Sequence, residues 1–103
     1  MHRGGMPDVM TAQILTQEQV ATELAAIPGW VVDHGQLSRT VTRADFRDAL
    51  LFDNAVGFLA ERVNHHPDVA IAWNKVTLTL MTHAAGGLTV HDFALAREIN
   101  GLA

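Results

Sequence analysis

The chain has 103 residues, 49% of them hydrophobic and 17% charged, with 7 Lys and Arg against 11 Asp and Glu for a net charge of −4. That is enough apolar material for one packed domain and argues against disorder, while the few scattered basic residues argue against a phosphate-neutralising surface for nucleic acid. The absence of cysteine excludes disulfides, thiolate nucleophiles and zinc–sulfur sites.

The N-terminus carries Gly4, Gly5 and Pro7 and no apolar block. It reads as a flexible leader over residues 1–14, ahead of a single domain over residues 15–103. No stretch of about 18 apolar residues occurs anywhere, so a soluble cytoplasmic protein without membrane contact is expected. Thr16 and Gln19 have capping-box spacing, and Val20, Leu24 and Ile27 follow at helical intervals, predicting a first helix from Gln17 to Ala26, stopped by Pro28-Gly29. Trp30–Asp33 and Gln36–Val41 flank His34-Gly35 and predict a β-hairpin with Leu37 and Val41 facing the core. Arg39 has the same parity, so its stem is expected to lie across the sheet.

Thr42-Arg43-Ala44-Asp45 reads as a second cap, and Phe46 to Val63 is the most regular helical pattern in the chain. Its apolar stripe runs through residues 52, 55, 56, 59 and 63, widened by Phe46, Leu50, Phe58 and Ala60. Val69–Trp73 and Val76–His83 alternate with period two around Asn74-Lys75, predicting a second hairpin with His83 on the Thr face. Thr89 and Asp92 form a third cap pair, Leu88 and Phe93 a hydrophobic staple, and Gly101 the stop of a last helix. The order is α-β-β-α-β-β-α. It predicts an α+β two-layer sandwich, with helices on one face of a four-stranded antiparallel sheet. The bare sheet face and edges then favour a homodimer or homotetramer.

Asn64-His65-His66-Pro67-Asp68 and Thr82-His83 are the stretches with chemical content. Proline pushes the residue before it out of the α region, so the helix must stop near Asn64 or His65 and leave the histidines on a short stiff turn. Histidine titrates nearest neutrality, and His65, His66 and His83 converging from a turn and a strand end would make a proton-transfer site. Neighbouring histidines at a helix C-terminus also serve simply as caps, and three histidines can bind zinc. Against a metal stands the absence of a His-Glu-x-x-His motif. Asp92 fits a helix cap, an orienter of an imidazole, or both. His34 and His91 read as surface residues, and Trp30 and Trp73 as packing, with Trp73 at a strand end able to line a pocket.

Taken with these motifs, Pro28-Gly29-Trp30, Asn74-Lys75-Val76, Leu80-Met81-Thr82-His83 and Gly87-Leu88-Thr89 followed by Asp92 resemble the pterin-4a-carbinolamine dehydratases over residues 16 to 102. The resemblance implies the same fold, an oligomer, no metal and no organic cofactor. It implies the dehydration of 4a-hydroxytetrahydropterin to quinonoid dihydropterin, which recycles the pterin of aromatic amino-acid hydroxylases. It places His65, His66 and His83 as catalytic residues and His66, Pro67, Trp73, Thr82 and Asp92 as substrate contacts. Val69, Trp73, Asn64 and His91 depart from residues frequent in the family: an aromatic, Tyr, an acid and Arg. The rival implication is a non-catalytic dimerisation or adaptor module on the same fold.

Overall fold

A computed structural model describes residues 12–103, in the order α1 (Gln17–Leu24), β1 (Val31–Asp33), β2 (Gln36–Thr42), α2 (Phe46–Val63), β3 (Asp68–Ala72), β4 (Lys75–Leu80), α3 (Val90–Leu102). Of the expected leader, residues 1–11 lie outside the described residues. Ala12 is buried and Ile14 packs over Gly87, so contacts with the domain begin ahead of residue 15.

The sheet is antiparallel throughout with strand order β1-β2-β4-β3. Period-two alternation sets its two faces. Leu37 and Val41 of β2 and Val76, Leu78 and Leu80 of β4 are buried, and the register places Leu37 opposite Leu80 and Val41 opposite Val76. Ser38, Thr40, Thr77 and Thr79 alternate with them on the other face, where the Thr40 and Thr77 hydroxyls bond at 3.0 Å. Against the apolar face lie Phe52 and Val56 of α2 and Phe93, Leu95 and Ile99 of α3. The α+β two-layer architecture with α-β-β-α-β-β-α order is as the residue pattern predicts.

Several boundaries differ from expectation, each for a local reason. α1 ends at Leu24, not Ala26, because Ala26 and Ile27 donate to the carbonyls of Glu23 and Leu24 at 3.0 and 3.1 Å. These i→i−3 bonds tighten the last turn and bury Ile27. The cap of α2 is Asp45 rather than Thr42. The Asp45 side chain accepts from the Asp48 N–H at 2.8 Å, and Asp48 accepts from the Ala44 N–H at 3.0 Å. Thr42 stays in β2, paired with Lys75. The buried stripe of α2 is Ala49, Phe52, Val56 and Ala60, so Phe58, expected to widen the stripe, is 78% exposed instead. α3 runs through Gly101 to Leu102. Arg39 does cross the inner face; its guanidinium lies 2.8 Å from where a Cβ on Gly29 would stand and bonds Asn100 of α3, which also accepts from the Trp30 indole at 2.7 Å.

Candidate active site

The predicted break before Pro67 is a Schellman closure. Asn64 takes the left-handed conformation at φ 53°, its N–H bonds the Glu61 carbonyl at 3.3 Å, and the His65 N–H bonds the Ala60 carbonyl at 3.1 Å. Asn is one of the few residues besides Gly that enters this region readily. The closure sends consecutive side chains in opposite directions. His65 turns inward and is buried; His66 turns outward, where its Nε2 meets Glu61 at 2.8 Å.

His65 Nε2 lies 2.6 Å from Asp92 Oδ1, with side-chain exposures of 7% and 0%. Asp92 stands at the third position of α3, where the partial positive charge of a helix start favours an anion. Its second oxygen accepts from the Thr89 N–H and the Thr82 hydroxyl, both at 2.9 Å. The Thr82 and Thr89 hydroxyls are 2.7 Å apart, and Thr89 accepts from the His91 N–H at 3.2 Å. Proton counting orients the network. An ionised carboxylate only accepts, so Thr82 donates to Asp92 and Thr89 must donate to Thr82. By the same reasoning His65 carries its proton on Nε2, leaving Nδ1 to accept when the ring is neutral and to donate when it is charged. A buried charge with three donors is a held orienter, and a His so oriented can act as acid or base.

The Thr82 hydroxyl is therefore committed to Asp92. β4 ends at Leu80, short of the expected His83, because Thr82 leaves the ladder for an isolated bridge with Gly87. The Thr82 N–H bonds the Gly87 carbonyl at 3.0 Å and the chain between them turns back on itself. His83 is exposed at the start of that turn, and no side-chain hydrogen bond fixes it among the described residues. Pro67 is half-buried beside the histidine pair.

Trp73 falls outside this cluster. It is 67% exposed and occupies the β3–β4 turn itself with φ 53°, one residue later in the hairpin than the alternation placed it. The five residues of β3 put about 16 Å between it and the histidine turn. Two residues outside the expected site belong near it. Glu61 pairs with His66, five residues apart across a helix end whose geometry no helical period encodes. His91, read as a surface residue, is half-buried with its ring centroid 6.3 Å from that of His65.

A separate apolar depression of about 390 Å³ lies between Ile14, Val20, Val32 and Leu88 and holds none of these histidines.

The features that carry the site sit inside one continuous region of similarity. Residues 13–102 match the model of the pterin 4 alpha carbinolamine dehydratase family. A Nocardia farcinica protein named "putative pterin-4-alpha-carbinolamine dehydratase" is 47% identical over 94 residues, covering 91% of this chain and 99% of the relative. A Chloroflexus aurantiacus protein of the same name is 45% identical over 86 residues, covering 84% and 92%. A crystal structure described as a transcriptional coactivator/pterin dehydratase from Brucella melitensis superposes with a TM-score of 0.85 at 32% identity, covering 88% of this chain and 99% of that one. Sequence and architecture thus agree over the whole folded region, from α1 through the histidine turn to α3, and this chain belongs to the pterin 4 alpha carbinolamine dehydratase family.

Proposed function

We propose that the protein dehydrates a 4a-hydroxytetrahydropterin to the quinonoid dihydropterin and water. The C4a–O bond breaks as its oxygen gains a proton, and N5 loses a proton as the C4a–N5 double bond forms. No electron is gained or lost, so groups that move protons are sufficient. Such acid–base catalysis supplies about 10²–10⁴-fold. His65 protonates the leaving oxygen through Nδ1, the nitrogen that Asp92 leaves open. His83, on its exposed turn, takes the N5 proton. His66 and Pro67 hold the ring, with Glu61 steadying His66.

The observation that supports this most is the buried 2.6 Å bond from His65 to Asp92, since a surface-capping histidine has no use for a buried, three-donor carboxylate. An adaptor module on the same fold is the second reading. It draws on the apolar residues that α2 exposes, Leu51 and Phe58 among them, and on the coactivator description of the Brucella melitensis relative. The same surfaces, with the edge strands β1 and β3, support a homodimer or homotetramer. No helix among the described residues is long and apolar enough to cross a membrane, and the reaction is assigned to the cytoplasm.

Stopped-flow measurement of 4a-hydroxypterin dehydration, with and without the protein, tests the reading. Wild type accelerates the reaction, and His65→Ala and His83→Ala each lower the rate by about tenfold or more with unchanged circular dichroism. Near-wild-type rates in both variants would remove the acid–base assignment. No acceleration by wild type would remove the enzyme reading and leave the adaptor.

A further inference from the structure

His91 has no part in the chemistry above, yet its placement is specific. Its ring centroid stands 6.3 Å from that of His65, with the planes tilted by 56°. Its Nε2 is buried with no hydrogen-bond partner among the described residues, although the residue as a whole is only half-buried. The first turn of α3 fixes its backbone, whose N–H bonds Thr89 at 3.2 Å. A buried ring nitrogen without a partner is a position where water or a ligand completes the hydrogen bonding. Two hydrogen bonds of about 2.8–3.0 Å meeting at one water at its roughly tetrahedral angle span about 4.5–5 Å between nitrogens, a gap that two rings at this separation can present.

His65 has a matching need. Its side chain is 7% exposed and its Nε2 is committed to Asp92, so a proton that Nδ1 gives up must return at Nδ1 itself, the one ring nitrogen left open. His83 is exposed and trades protons with solvent directly.

We propose that His91 is the proton relay that resets His65 between turnovers, passing a proton from solvent through one bridging water to His65 Nδ1. The proposal rests on the dehydration reading above. The protons balance: His65 gives one to the departing oxygen, His83 takes one from N5, solvent removes that one, and His91 returns one to His65. His91 touches neither leaving group nor ring, so it acts on the reset and not on the chemical step.

His91→Phe keeps a flat ring and removes both nitrogens; His91→Gln keeps polarity but cannot relay, and stands in if the Phe variant fails to fold. Both are expected to lower kcat by about fivefold or more while kcat/KM holds within about twofold, and added imidazole should restore kcat in the variants without changing wild type. An unchanged kcat overturns the relay. So does a joint fall of kcat and kcat/KM without rescue, which would mean that His91 contacts substrate or only supports the fold. Solvent exchange of the His65 ring N–H, followed by NMR in histidine-labelled protein, is an independent readout. Exchange should slow about fivefold or more in either variant, and equal exchange overturns the relay. If wild type itself fails to dehydrate pterin, the parent reading falls alone and the exchange experiment still decides for or against the relay.

Discussion

At the scale of single residues, the network around Asp92 makes a prediction that separates positioning from bulk. Thr82→Val keeps the shape of the side chain but removes the donor to Asp92 and the acceptor for Thr89. Leaving such buried groups unmatched costs about 1–3 kcal/mol, read as a shift of the urea midpoint. Thr82→Ser keeps the hydroxyl and should recover most of the loss. Asp92→Asn is expected to do more. Its amide can present N–H to His65, which makes Nε2 an acceptor, leaves the neutral ring's proton on Nδ1 and closes that nitrogen to proton uptake; when the ring is protonated the buried pair has lost one partner, a change that costs about 3–5 kcal/mol. Dehydration should fall well beyond the loss seen in Thr82→Val. A Thr82→Ser variant no more stable than Thr82→Val would mean that volume, not the hydrogen bond, matters there. The sequence makes these residues legible as types. Asp92 is readable as a cap and an orienter, and His65 is placed by Pro67. The pairing is not readable, because adjacent histidines look alike until Asn64 turns left-handed and sends one ring inward and one outward. His91 is hidden for a related reason, since nothing in helical periodicity shows that the first turn of α3 leans on the end of α2.

At the scale of elements, the start of α2 sets the expected cap, Thr42, against the observed one, Asp45, three residues on. The structure gives the role to Asp45, so Asp45→Ala should cost about 0.5–2 kcal/mol and Thr42→Ala, in an exposed strand position, much less. Equal losses would contradict the assigned boundary. Asp48 adds a pH signature to the same experiment. The Ala44 N–H first, and then the Arg43 guanidinium, hold its carboxyl below the ordinary 3.8. A carboxylate held low when folded stabilises the protein above its unfolded pKa, and that contribution disappears as pH falls through the folded pKa. Asp48→Asn should therefore narrow the stability difference between neutral and strongly acid solution. Strands were the more legible elements, because alternation fixes the face of Leu37, Val41, Val76, Leu78 and Leu80 without knowledge of anything distant. The buried stripe of α2 is rotated from the expected one, since Phe58 and Leu50 are as apolar as the residues that are buried, and hydrophobicity alone does not say which of two apolar faces meets the sheet.

At the scale of the whole molecule, that second apolar face becomes informative. α2 buries Ala49, Phe52, Val56 and Ala60 inward and still exposes Leu51 and Phe58 outward. The sheet ends in β1, whose three residues are all exposed, and in β3, most of whose residues are exposed. A face apolar on both sides of a helix belongs to an element with something packed on each side, and a contiguous exposed apolar patch marks an association surface. A second copy of the chain would cover it, and continuation across the β3 edge would satisfy open backbone groups. Light scattering on wild type at micromolar concentration should give a mass above that of a single 11.2 kDa chain. Phe58→Lys distinguishes the helix face from the strand edge. Lys favours a helix more than Phe does, by a few tenths of a kcal/mol or about that, so the fold of each chain should survive while the helix contact is lost. A smaller assembly with unchanged circular dichroism places the contact on α2. An unchanged assembly moves it to the sheet edge, where Val69→Pro becomes the deciding variant, because the N–H it removes faces away from β4.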